Sequence, residues 1–333
     1  MRRGSLVVVF CGFLAGLLLS LLLGRLGGRL SRVHDGSSSG AAGAQAPYDR
    51  IVSLAANVTE TVYALGCDDR LVGISEFCTV PPAAQEKVRV GGVINPNLEV
   101  MASLEPDLVL AQMPNEDVDR WCRDRRIVFR AVEMTDLAAV ESGIREIGTL
   151  LGVPGRAGRL WQEMEERLDT LRKKTSNRPR PRVLLVISRS PDGLTGIYTA
   201  GRDTFLDELL GVAGGENLFG DSSRAYPLAS KEVIQARRPD IVVELRPGET
   251  VDAERRQRLL ADWRRLPSLP AVRKGRVYIV TDPFVQVPGP RVAETAAVLA
   301  RLCHPEAVPD PPGESDPAAE KAAADDRVTG ERR

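Results

Sequence analysis

A carboxylate returns at the same point of a gapless internal repeat. Residues 99–110 read EVMASLEPDLVL and residues 232–243 read EVIQARRPDIVV, an offset of 232 − 99 = 133 positions. Each copy opens on Glu-Val where a helical pattern begins, then runs through Pro-Asp into an aliphatic stretch. Asn97 and Ser230 stand two residues ahead of Glu99 and Glu232, where helix N-caps belong. The helix dipole gives a first-turn carboxylate about 0.3–1 kcal/mol, which is one reason to find glutamate there. Its identical placement in both copies asks for more. A second set of residues is aromatic: Phe77, Tyr198, Tyr226 and Phe284 follow strand patterns or their turns. In open α/β sheets the carboxyl ends of strands are where ligands bind. Flat side chains there suit a large planar or amphipathic ligand, although each taken singly could be ordinary packing.

Much other chemistry is excluded. The two histidines, His34 and His304, lie at the margins of the chain, so a histidine-based metal cage, a Ser–His–Asp triad or a Cys–His pair has no imidazole to use. No GxGxxG follows a strand, and no Walker A, GxSxG or HExxH sequence occurs. The glycines of Gly211-Val212-Ala213-Gly214-Gly215 follow a helix and read as a cap and turn. No catalytic residue, metal site or resident cofactor is expected. Formal net charge is zero, which gives no support for nucleic-acid binding. Cys67, Cys78, Cys122 and Cys303 could form two disulfides outside the cytoplasm or stay as buried thiols, and no CxxC is present.

These residues need a scaffold, and the chain around residues 154–175, PGRAGRLWQEMEERLDTLRKKT, supplies its centre. Pro154 suits a first helical turn, and Leu160, Met164, Leu168 and Leu171 draw one apolar stripe. Glu163, Glu165 and Glu166 precede Arg172, Lys173 and Lys174, in the order the helix dipole favours. On each side strand and helix patterns alternate. Ahead of the helix, strands are expected at Arg50–Ala55, Leu71–Ser75, Asp107–Gln112 and Ile127–Val132, with helices at Val58–Leu65, Leu98–Leu104, Asp117–Arg125 and Leu137–Leu151. Behind it, strands are expected at Arg182–Ser188, Asp240–Leu245 and Val277–Val280, with helices at Thr204–Leu210, Lys231–Arg237, Ala253–Trp263 and Arg291–Leu302. The expected fold is therefore α/β: two similar α/β lobes, residues 48–152 and 179–304, joined by one long rigid helix over 153–178, with a ligand cleft between them. Such a helix resists hinge bending, so ligand binding should move the lobes little. Residues 6–23, LVVVFCGFLAGLLLSLLL, are long enough to span a bilayer and read as an uncleaved anchor, with a cleaved signal as the alternative, within a 1–32 anchor or signal segment. Residues 33–47 read as a flexible linker, and 305–333 as a disordered tail.

Together these stretches resemble a known family. RIVSLAANVTETVYALGCDDRLVGIS, the EFCTVPP loop, GGVINPNLEVMASLEPDLVLA, YTAGRDTFLDELLGVAGGENLF and AYPLASKEVIQARRPDIVVEL resemble the solute-binding proteins of cobalamin and ferric-siderophore ABC importers, nearest to the cobalamin branch. The resemblance runs from Tyr48 to Cys303. It implies a monomeric binding protein, in the periplasm or on the outer face of the cytoplasmic membrane, tethered by residues 6–23. It would capture a corrinoid and deliver it to a permease dimer coupled to an ATPase; a ferric siderophore or haem is the alternative cargo. A cleft enzyme with an unrecognised cofactor is the rival from another class. By the resemblance, Glu99 and Glu232 dock into arginine pockets of the two permease subunits. Phe77, Tyr198 and Tyr226 match the aromatics of the ligand site, and Asp282 an acidic residue near the last strand. Phe284 joins them from its own position after a strand. Val93 and Gln112 stand where the family often has aromatics.

Overall fold

A computed structural model describes residues 48–191 and 193–309, which fall into two compact units. The first holds residues 48–134 and 138–161; the second holds 135–137 and everything described from 162 on. The expected anchor, linker and most of the tail lie outside the described residues. Among the described residues no helix is long and apolar enough to cross a membrane.

Unit 1 carries β1 (Ile51–Ser53), α1 (Ala56–Ala64), β2 (Leu71–Ile74), β3 (Val88–Arg89), α2 (Leu98–Ser103), β4 (Leu108–Ala111), α3 (Glu116–Asp124), β5 (Val128–Ala131) and α4 (Leu137–Leu150), whose first residue clusters with unit 2. Its sheet is wholly parallel, in the order β3-β2-β1-β4-β5. The chain leaves β1 toward β2 and returns on its other side as β4, so the strand order reverses at β1. Strands β1 and β4 are buried on both faces and read as unbroken apolar runs, as a doubly covered parallel sheet requires.

The helix α5 (Pro154–Thr175) has the bounds expected, and its residues belong to unit 1 through Trp161 and to unit 2 from Gln162. Its buried stripe is Ala157, Trp161, Met164, Leu168, Leu171 and Thr175, while Leu160 is only half-buried. Counting back from Met164, Trp161 at i−3 and Ala157 at i−7 share a face, and Leu160 falls at its edge. The basic last turn is present, but no acid lies in the first turn, because the three glutamates sit near mid-helix.

Unit 2 contains β6 (Arg182–Ser188), β7 (Ile197–Thr199), α6 (Phe205–Val212), β8 (Glu216–Asn217), β9 (Leu228–Ala229), α7 (Lys231–Arg237), β10 (Ile241–Leu245), α8 (Ala253–Arg264), α9 (Pro270–Arg273), β11 (Val277–Val280) and α10 (Val292–Cys303). Its sheet runs β11-β10-β6-β7-β9, with β8 against the start of β6. β11, β10 and β6 are parallel, whereas β7 is antiparallel to both β6 and β9. A core of Leu184, Val186, Ile197, Ile234, Val242, Trp263 and Leu269 lies on one side of this sheet.

Cys67, Cys78, Cys122 and Cys303 are all free and buried, so the disulfide alternative does not hold. Burial raises each thiol: Cys67 upward, Cys78 to about 11, Cys122 and Cys303 to about 12. A thiol that is both covered and protonated is a poor nucleophile. In the full chain carrying Cys11→Ser, these four should resist a thiol reagent until unfolded, then all react. Labelling of the native chain, or a mobility change on reduction, would refute this.

Candidate ligand and docking sites

In unit 1 the carboxyl ends of β1, β2 and β4 carry the candidate positions. Phe77, half-buried, stands in the loop after β2. That loop is fixed from beneath: Arg89 Nη1 donates to Ser75 O at 2.9 Å and Cys78 O at 2.7 Å, and Glu76 N donates to Gly91 O at 2.9 Å. Gln112 follows β4, so it and Phe77 flank β1, the point where the strand order reverses. Open sheets form a crevice at such a switch point. Val93 is half-buried a few residues beyond β3.

In unit 2 the candidates divide between two sides of the sheet. Tyr198 lies within strand β7 rather than in a loop, a correction to the expectation that it follows a strand and turn. The antiparallel return pairs it with Ser188, the last residue of β6, so it still reaches the carboxyl end. Tyr226 stands just ahead of Leu228, the residue that pairs with Tyr198 from β9. Thr199 N donates to Pro227 O at 3.1 Å and Gly201 N to Ala225 O at 2.7 Å, which holds the Tyr226 segment along β7. Tyr226 is half-buried, and loss of water around its phenol raises it to about 12. On the other side, half-buried Asp282 and Phe284 follow β11, with the Arg291 guanidinium 4.9 Å above the Phe284 ring. From β11 to β7 is three strand spacings, about 14 Å at ~4.8 Å each. The carboxyl ends of β6 and β10 lie between.

Under those two strand ends is a buried ionic cluster that sequence reasoning missed. Arg189, directly after β6, donates through Nε to Glu244 Oε1 at 3.0 Å and through Nη1 to Asp262 Oδ2 at 3.0 Å and Gly193 O at 2.8 Å. Arg246, directly after β10, donates to the same Glu244 Oε1 from Nε at 2.7 Å and to Glu249 at 2.9 Å. Trp263 Nε1 donates to Glu244 Oε2 at 2.8 Å. Glu244 and Arg246 are two apart on an extended segment, hence on one face, which was the available signal.

Glu99 and Glu232 are both exposed in the first turns of their short helices. Asn97 Oδ1 accepts from Glu99 N at 3.0 Å and Val100 N at 3.1 Å; Ser230 Oγ accepts from Val233 N at 3.3 Å. The N-caps are those the repeat indicated. Hydrogen bonds from its own amide and from Ser230 hold the Glu232 carboxyl below its ordinary range. His304 is buried at the end of α10 beside Gly214 O, away from the carboxyl ends of the sheet. Among the described residues no cluster of His, Cys, Asp or Glu could hold a metal ion.

An open, switch-point sheet in unit 1 and aromatics at the carboxyl ends of the unit 2 sheet make arrangements suited to holding a small solute. The chain belongs to the periplasmic binding protein family, whose model matches residues 51–283. A cobalamin-binding protein of Halobacterium salinarum is 31% identical over 264 residues, which cover 77% of this chain and 69% of that one. An uncharacterized ABC transporter substrate-binding lipoprotein, YvrC of Bacillus subtilis, is 30% identical over 265 residues, 77% of this chain and 80% of that one. Among solved structures, a periplasmic heme binding protein from Pseudomonas aeruginosa matches with a TM-score of 0.68 at 29% identity, over 78% of this chain and 94% of that one. The protein is thus a periplasmic solute-binding component of ABC importers, not an enzyme.

Proposed function

We infer that this chain captures a corrinoid and hands it to a permease dimer driven by an ATPase. The observation that carries the reading is the unit 2 rim. Tyr198 and Tyr226 on one side and Asp282 and Phe284 on the other flank the carboxyl ends of β6 and β10, a span of about 14 Å that suits a large ring system. Phe77 in unit 1 stands at the carboxyl end of its own sheet. The cobalamin-binding relative supports this choice of cargo. A second reading, haem, is favoured by the Pseudomonas aeruginosa neighbour. Against it, the described histidine is remote from the rim, and burial works against a Tyr226 phenolate as an iron ligand. The protein acts as a monomer in the periplasm, tethered through residues 6–23.

Titration of residues 48–309 with cyanocobalamin, haem and ferrichrome, followed by absorbance and heat, tests the reading. Cyanocobalamin should bind tightest. Tyr198→Ala and Tyr226→Ala should each weaken it by about 0.5–1.5 kcal/mol, a factor of roughly 2–12. Tighter binding of haem would transfer the assignment to the second reading. Binding of none of the three would overturn both.

A further inference from the structure

The ionic cluster of unit 2 has no counterpart in unit 1, and that contrast assigns it a role. At the repeat offset of 133, Glu244 corresponds to Ala111, since 111 + 133 = 244. Both are the fourth residue of their strands, both are central in a parallel ladder, and both are buried, at 1% and 2% exposure. In unit 1 this position packs in an apolar cluster with Val52, Val109 and Trp121. The strand therefore does not need a carboxylate to fold. Burying charge also costs several kcal/mol per ion before pairing offsets it, so such clusters are poor sources of net stability. What Glu244 has and Ala111 lacks is a set of donors that reach out to the loops.

The two arginine donors each end on a segment of the rim. Through Arg189, the carboxylate holds Gly193 O, and Ser190 N closes the same turn onto Thr195 O at 2.9 Å. That turn leads into β7 and Tyr198. Through Arg246, it holds the segment whose Arg246 N donates to Val280 O at 2.8 Å and Gly248 N to Thr281 O at 2.9 Å, the two residues before Asp282. Through Trp263, it ties in helix α8. Gln286 completes the arrangement by donating to Ile187 O at 2.8 Å and Leu245 O at 3.3 Å, which seats the turn bearing Phe284 on β6 and β10. We propose that Glu244 is a positioning residue for the ligand rim, holding the Tyr198 turn and the Asp282 loop in register through Arg189 and Arg246. A preformed rim lowers the ordering cost of binding.

The test is segment-resolved amide hydrogen exchange on the full chain with Glu244→Gln, which keeps volume and removes the charge, and sets an NH₂ donor against either the two guanidinium groups or the Trp263 N–H. Val243→Ala, a purely apolar truncation one residue earlier, serves as control. Glu244→Gln should speed exchange of the Ser190 and Gly248 amides roughly tenfold more than the control does, with the β6 and β10 ladders protected alike in both. Unchanged exchange at Ser190 and Gly248, or a rise spread evenly over unit 2, would overturn the proposal. A second readout rests on the ligand reading: for whichever of cyanocobalamin and haem the wild-type chain binds, Glu244→Gln should raise Kd about fivefold, mostly as a faster off-rate. If Tyr198→Ala, Tyr226→Ala and Phe284→Ala leave both titrations unaltered, the rim is not the ligand site. The exchange result still decides whether Glu244 positions the loops.

Discussion

Replacing Glu99 and Glu232 together by alanine is expected to abolish docking to the permease while the affinity for solute stays at its wild-type value. Both carboxylates stand exposed at equivalent points of the repeat, each in a capped first turn that projects it from its own unit. Partnered by arginine in a planar two-bond pair, each contact becomes strong only if the interface excludes water. Exposed ion pairs are worth ~0–1 kcal/mol, but truncating one partner of a desolvated interfacial pair costs ~2–5 kcal/mol. Two such losses at sites that share no hydrogen-bond partner should add. The single changes should weaken association measurably and the double change below detection. Glu232 is held ionised by its own amide and Ser230, so its contribution should persist at lower pH than an ordinary carboxylate would allow. If the glutamates serve only the helix dipole, the double variant loses no more than ~1 kcal/mol per site in stability and still delivers solute. Measuring solute affinity, melting temperature and permease association on the same variants separates the outcomes. Retained uptake would sink the docking assignment.

Elements with a regular signature were legible: a strand buried on both faces reads as an unbroken apolar run, and a helix as an apolar stripe or a capped, charged first turn. Arg182–Ser188, Lys231–Arg237, Val277–Val280 and Pro154–Thr175 have the bounds the pattern indicates. The strands β3, β7, β8 and β9 were not legible, since two or three residues cannot show a period of two. That is why the sequence pattern does not place Tyr198 in a strand: β7 is three residues long and exists only because β6 and β9 flank it. The glutamate pair was legible because a repeat compares the chain with itself and needs no structure. The ionic cluster was hidden for the opposite reason. Glu244 sits inside the run IVVEL, where the aliphatic neighbours dominate, and its partners Arg189 and Trp263 are 55 and 19 residues away. A buried charge announces itself only through its partners, and those are a property of the fold. The cysteines show the same limit: spacing left disulfides open, and only the fold, in which all four are free and buried, closes the question.

Arg189→Met should be the most destabilising single change in unit 2, and more so than Glu244→Gln at the centre of the same cluster. The charges explain the order. Arg189 and Arg246 face Glu244, Glu249 and Asp262, two buried guanidinium groups against three carboxylates, and exposed Arg265, 3.9 Å from Asp262, adds little to the balance. Neutralising Glu244 leaves two against two, with Arg189 still on Asp262 and Arg246 still on Glu249. Removing the Arg189 charge leaves one against three, and Glu244, at 1% side-chain exposure, has no water to turn to. Breaking a buried pair from one side costs about 3–5 kcal/mol, a large part of the ~5–15 kcal/mol that holds a typical domain. The melting temperature should fall by on the order of 10 °C. Arg189→Lys should recover only part of this, because one ammonium cannot reach Glu244, Asp262 and Gly193 O with the geometry of a planar fork. The double variant Arg189→Met/Glu244→Gln gives the sharper check. It returns the cluster to one positive against two negative and removes the most deeply buried of the stranded carboxylates. It should therefore melt higher than Arg189→Met alone, a non-additivity of about 1–3 kcal/mol. Simple addition of the two losses would mean that packing, and not charge balance, is what Arg189 contributes.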